Sequence, residues 1–151
     1  MENNLRQLVI GAWMLISFDQ KSKDGKVSYP LGRAARGSLY YLPDGHVCVN
    51  IMQSSRNITV DPSLMKGDAL KYNELGYLAY SGQYHIEEDP QLMIHVPDVS
   101  LYPEWIGSQQ IRKIHLVGNY LQLSSNGPVG PDESRFRLTW VRCNLKCPRD
   151  L

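Results

Sequence analysis

Period-two alternation of apolar and polar residues runs through most of this chain, broken at short intervals by glycine and proline. Successive side chains of a strand leave on opposite faces, so such runs, rich in Val, Ile, Tyr, Leu and Thr, predict short antiparallel strands. Residues 11–18 form the first, stopped by the polar turn from Lys21 to Lys26 around Asp24-Gly25. Residues 5–10 before it predict a short helical lid. A hairpin is predicted over residues 37–52, because Pro43-Asp44-Gly45 supplies turn geometry between two strand-like runs. In its second arm Val47, Val49 and Ile51 share one face and His46, Cys48, Asn50 and Met52 the other, and either face is suited to partial cover. Further strands are predicted over residues 79–86, 91–96, 109–116, 120–125 and 135–142.

The period changes once. Asp61-Pro62 resembles a helix N-cap followed by proline, and Leu64, Met65, Ala69, Leu70, Tyr72, Leu75 and Leu78 recur at helical intervals, predicting one helix weakened by Gly67. About eight or more antiparallel strands with one short helical insertion favour an all-β closed barrel over an open sheet, since closure removes exposed edges. A barrel of that size has room for one small ligand. The tail from Asn144 to Leu151 is polar, contains Pro148 and is expected to fray.

At 151 residues the chain is read as one domain over residues 1–151. Lys plus Arg number 16 against 15 for Asp plus Glu, so a net charge of +1 creates no field to gather nucleic acid or an anionic membrane. The apolar run from Leu8 to Ile16 is broken by Gly11 and lacks a small-residue cleavage site, so neither a secretory signal nor a membrane span is expected. Cys48, Cys143 and Cys147 are an odd number without a Cys-x-x-Cys pair, which fits reduced thiols in a cytoplasm. Asn57-Ile58-Thr59 matches a glycosylation sequon and, without a secretory route, carries no weight.

Several segments in order resemble a known family: Gly11-Ala12-Trp13, Tyr29-Pro30-Leu31-Gly32, Gly37-Ser38-Leu39-Tyr40-Tyr41 and Asp44-Gly45 in the first half. Tyr80-Ser81-Gly82-Gln83-Tyr84, His95-Val96, Ser100, Pro103-Glu104-Trp105-Ile106-Gly107 and Gln110-Ile111-Arg112 follow in the second. Together, over roughly residues 8–142, they are similar to the lipocalin-like domain proteins of bacteria and fungi, compact relatives of the lipocalin barrel. The resemblance implies a lipocalin-like β-barrel. For activity it implies two classes: barrels that fold a flexible intermediate for cyclisation or isomerisation, and barrels that only bind hydrophobic molecules. Fold analogy does not choose between them.

The richest segment chemically is residues 95–112. In the strand before it, Leu92, Ile94 and Val96 share one face and Met93 and His95 the other; if the mixed face lines the barrel, His95 points into the cavity. A histidine there is a candidate acid or base, or else a core residue satisfied by a carbonyl or a tyrosine. Arg112 alternates with Gln110, Ile114 and Leu116. A guanidinium turned inward loses roughly several kcal/mol of hydration unless it finds a carboxylate, carbonyls or a ligand oxygen. Glu104 is a weak partner candidate, and stacking on Trp105 is the bland alternative. Tyr80 and Tyr84 flank Gly82, which leaves a gap on that face for a ligand, although such tyrosines are more often plain core. Trp13 reads as the plug of the closed end and Trp140 as core packing.

The expectation is a cofactor-independent cyclase or isomerase of a hydrophobic, polyketide- or terpenoid-like intermediate. His95 and Arg112 are the catalytic candidates, and Tyr80, Tyr84, Trp105, Gln110, Tyr41 and Asn50 the substrate-binding ones. The rival is a non-catalytic binding protein using the same wall. A structural module, the third reading, requires a cavity filled by side chains. No metal site, phosphate loop or dinucleotide fingerprint is present in the sequence, so neither a metal nor a cofactor is expected. The expected partner is a small hydrophobic molecule, with no nucleic acid and no membrane; a homodimer is left open beside the monomer.

Overall fold

In the computed structural model, which describes residues 4–54, 76–129 and 133–144, the alternating runs form one closed antiparallel β-barrel. Helix α1 (Leu5–Val9) precedes the strands β1 (Gly11–Lys21), β2 (Val27–Ser28), β3 (Arg36–Tyr41), β4 (His46–Met52), β5 (Tyr77–Glu88), β6 (Gln91–Ser100), β7 (Gln110–Val117), β8 (Tyr120–Ser125) and β9 (Arg135–Arg142). From β3 onward each strand pairs with the next, β3 also pairs with β1, and β1 closes the ring against β9; β2 is an extra strand on the outer end of β1. The predicted helix from Asp61 falls outside the described residues except at its end, where Tyr77 and Leu78 belong to β5. There the carbonyls and amides pair with β4, and ladder pairing overrides the helical spacing of Leu78. The sequon and the polar tail from position 145 also lie outside the described residues. Among those described, no helix is long and apolar enough to cross a membrane.

The β3–β4 hairpin forms as the Asp-Gly turn requires. Gly45 sits at φ 94°, a left-handed conformation that a side chain disfavours, and the Asp44 carboxylate accepts from the His46 amide at 3.1 Å. Val47, Val49 and Ile51 point inward, which settles the face left open by the sequence.

Two irregularities redirect side chains. β1 shifts register between Leu15 and Ser17, so its inward residues change from Trp13 and Leu15 to Phe18. β6 runs on through Pro97 to Ser100, past the end predicted at Val96. A shift against β5 at Ser81/Gly82 accommodates the proline, whose carbonyl accepts from the Gly107 amide at 2.8 Å. The gap expected at Gly82 is filled by backbone: a Cβ there would meet the Pro97 Cα at 2.8 Å.

One end of the barrel is sealed. Leu5 and Val9 of α1 are buried over it, and the Trp13 indole donates to the Val9 carbonyl at 2.8 Å. The Arg142 guanidinium lies 4.2 Å from the centre of the Trp13 ring and donates to the carbonyls of Ile10, at 2.9 Å, and Leu8. The predicted lid and plug thus both sit at this end.

Candidate ligand-binding site

Above the seal the inward faces of the strands do not meet, and a cavity of about 420 Å³ remains. Its walls are largely apolar: Leu39 from β3, Val49 and Ile51 from β4, Leu123 from β8, and Phe136, Leu138 and Trp140 from β9, with Phe18, Leu78, Trp105 and Val129 further along. The polar side chains on the wall gather on one side, as Tyr80, His95, Gln110 and Arg112. A filled interior, which a purely structural module requires, is not what the barrel contains.

Neighbouring strands bring the polar residues together. His95 on β6 pairs across the ladder with Gln110 on β7, and Met93 with Arg112, so two residues per strand place all three polar groups on the inner face. His95 is 1% exposed and both its ring nitrogens are engaged: the Tyr41 hydroxyl lies 2.8 Å from Nε2 and the Tyr80 hydroxyl 2.6 Å from Nδ1. Burial first, and then the positive charge of Arg112, pulls the His95 pKa down to about 3, so the imidazole is neutral in ordinary conditions. Burial pushes Tyr80 up to about 12 against the pull of Arg112, and raises Tyr41 well above the usual phenol range, with Tyr80 and Tyr84 adding to the rise. Both phenols stay protonated.

Arg112 reaches back along its own strand. Nη1 donates to the Ile111 carbonyl at 2.9 Å and Nη2 to Gln110 Oε1 at 3.2 Å, while the guanidinium carbon lies 4.9 Å from the centre of the Phe136 ring. Burial lowers its pKa, opposed by Tyr80 and Tyr41, but a guanidinium remains charged near neutrality. Among the described residues no carboxylate lies within ion-pair distance of it. Glu104 therefore does not serve as its partner, and Phe136 takes the stacking place assigned to Trp105. The Trp105 ring stands instead against Tyr80, with centres 5.7 Å apart, held on the one-turn helix Pro103–Trp105. Gln110 is fixed by donating to the Ser108 hydroxyl at 2.8 Å.

Of the residues singled out from sequence, His95, Arg112, Tyr80, Gln110 and Trp105 line one cavity. Tyr41 stands behind His95 and reaches the cavity only through it. Tyr84 shares the inner face but lies toward the sealed end, where its hydroxyl donates to the Leu42 carbonyl at 2.9 Å and its ring meets the edge of Tyr41. Asn50 is on the outer face of β4, bonded to the Tyr77 hydroxyl at 3.1 Å, in a separate groove with Arg36 and Ser38. Its neighbours Val49 and Ile51 take the inner face, and alternation sends Asn50 out. Trp140, taken from sequence as plain core, lines the cavity, and its buried Nε1 has no hydrogen-bond partner among the described residues. Its alternation with Phe136 and Leu138 was the available signal. Among the described residues no group of His, Cys, Asp and Glu is arranged to hold a metal.

Comparison with known proteins agrees with this geometry. A family model described as a lipocalin-like domain matches residues 10–143. A curated relative, the 4'-hydroxy-3'-methoxypropiophenone carrier protein ppsC of Aspergillus oryzae, is 39% identical over 72 residues, covering 42% of this chain and 65% of the relative. The matched stretch thus spans just under two thirds of that relative's length.

Proposed function

The chain belongs to the lipocalin-like domain family, and on that premise we propose that it is a binding protein that encloses one small, largely apolar, natural-product-like molecule and releases it unchanged. The observation that carries this reading is the cavity of about 420 Å³ with an apolar wall and one partly buried guanidinium that has no carboxylate partner among the described residues. Burial of a rigid apolar skeleton supplies affinity, and an oxygen of the ligand takes the open side of Arg112. The similarity to a carrier of a propiophenone, an aryl ketone with a phenolic hydroxyl, supports a ligand of this polarity.

The same geometry speaks for holding over proton transfer. A general base needs a free lone pair and a pKa near the working pH, whereas His95 has both nitrogens occupied by tyrosines and a pKa of about 3. A cyclase or isomerase built here would rely on hydrogen bonds from Arg112 and Tyr80 and on the shape of the cavity.

Equilibrium dialysis against acetylnaphthalene, an apolar aryl ketone, followed by mass spectrometry and chromatography of the released compound, tests the reading. The expected result is saturable uptake with the ketone recovered unaltered. Arg112→Met should weaken uptake about ten-fold or more, since a charge-assisted hydrogen bond is worth roughly 1.5–3 kcal/mol. No uptake, or recovery of a rearranged product at a catalytic rate, overturns it.

A further inference from the structure

The hydrogen bonds around His95 have a direction that follows from burial. A neutral imidazole has one N–H and one bare nitrogen, so one of its two tyrosine partners donates to it and the other accepts from it. Tyr41 is wholly buried and, among the described residues, its hydroxyl meets His95 alone; if Nε2 carried the proton, the Tyr41 hydrogen would be shut away from any acceptor. With Tyr41 donating to Nε2, the proton of the ring sits on Nδ1 and points at the Tyr80 oxygen, 2.6 Å away. The Tyr80 hydrogen is then unspent, and of the two tyrosines Tyr80 is the one that borders the cavity.

The guanidinium on this wall has the same donor sense. Arg112 offers N–H groups beyond the two that reach Ile111 and Gln110, and Gln110 Oε1, the wall's side-chain carbonyl, spends one of its two lone pairs on Arg112. On this wall Tyr80 and Arg112 have hydrogens to spare, and among the described side chains lining it they face only the remaining lone pair of Gln110 Oε1, so donors outnumber acceptors.

Resting on the reading that the barrel binds an apolar molecule, we infer that Tyr41 and His95 are positioning residues that make Tyr80 a one-way donor beside Arg112, so that the cavity selects ligands whose oxygen only accepts hydrogen bonds. The favoured chemistry is a carbonyl or an anionic oxygen on an apolar skeleton. An alcohol of the same shape accepts from Tyr80 but leaves its own hydrogen to compete with Arg112 for Gln110 Oε1, and a hydrocarbon leaves the donors unmet.

Two measurements test this. Nitrogen-15 NMR of the histidine-labelled protein near neutral pH reads the tautomer directly, and His95 should carry its proton on Nδ1; a proton on Nε2 overturns the inference without touching the binding reading. Calorimetry with ethylnaphthalene, naphthylethanol, acetylnaphthalene and naphthoate supplies the second. The ketone and the carboxylate should bind at least ten-fold more tightly than the alcohol. In Tyr41→Phe the relay loses its fixed end, and the ratio of ketone to alcohol affinity should fall about five-fold or more while uptake of ethylnaphthalene persists. A merely structural role for Tyr41 would weaken all four alike and leave the ratio unchanged, which overturns the inference. Equal affinity for the four compounds in the unmodified protein does the same, leaving the binding reading intact, whereas absence of binding by all four removes both.

Discussion

Acidification is the perturbation for which the barrel gives the clearest number. His95 is buried as a neutral ring between Tyr41 on β3 and Tyr80 on β5, facing the Arg112 cation on β7, and its pKa of about 3 lies far below the ordinary 6.5. The unfolded chain therefore binds a proton that the folded chain refuses. The contribution is fully present above the unfolded value of 6.5 and is lost as pH falls from there toward 3. The loss steepens to roughly 1.4 kcal/mol per unit below pH 6 and amounts to about 2 kcal/mol between pH 6.5 and about pH 4.5, a large share of the 5–15 kcal/mol typical of a domain. Staying above the ordinary carboxyl value of 3.8 keeps Asp24 and Asp44, whose pKa values are lowered by hydrogen bonds from Ser22 and His46 respectively, out of the window. Urea denaturation followed by tryptophan fluorescence at several pH values reads the slope. His95→Gln keeps a neutral group that both donates and accepts but takes no proton, so its slope should flatten even if its stability at neutral pH is lower. Equal slopes for the two proteins would refute the buried neutral histidine.

Two further predictions concern the frame that holds the site. Gly82→Ala should cost about 2 kcal/mol or more, because the added methyl meets the backbone of Val96 and Pro97, which cannot rotate away; urea denaturation decides, and an unchanged midpoint refutes so close an approach. Arg142→Met should cost about 1–3 kcal/mol through loss of the contact over Trp13 and the bond to the Ile10 carbonyl, with faster hydrogen exchange in β1 near Trp13 as the local mark.

Much of this architecture is legible in the residues themselves, and the exceptions share a cause. Alternation correctly puts His95 on the face of Met93, and Arg112 on the face of Gln110 and Ile114, because a period of two leaves only two choices and one face must be covered. Alternation says nothing about height along the barrel. Tyr80 and Tyr84 share a face, yet Tyr80 meets the cavity and Tyr84 the seal, since the tilt of β5 carries successive inward residues past different neighbours. Asn50 was misplaced for a simpler reason: both faces of β4 carry groups that tolerate burial, and only the pairing with β3 and β5 decides which turns inward. The continuation of β6 through Pro97 depends on register shifts against β5, and bulges of that kind leave no periodic trace. The relay from Tyr41 through His95 to Tyr80 joins three strands and is invisible in any one of them.

The pairing of β1 with β9 has a consequence for how occupancy acts on the molecule. Lys21 meets Arg135 and Trp13 meets Arg142, so the seam of the barrel is its least local contact, the one whose loop entropy is greatest. Phe18 comes from one side of that seam and Phe136, Leu138 and Trp140 from the other, and the enclosed space exists only when it is shut. A bound molecule therefore works as a clasp: at about a hundred times its dissociation constant it adds roughly 2.7 kcal/mol, and it adds it at the joint where an open sheet becomes a closed ring.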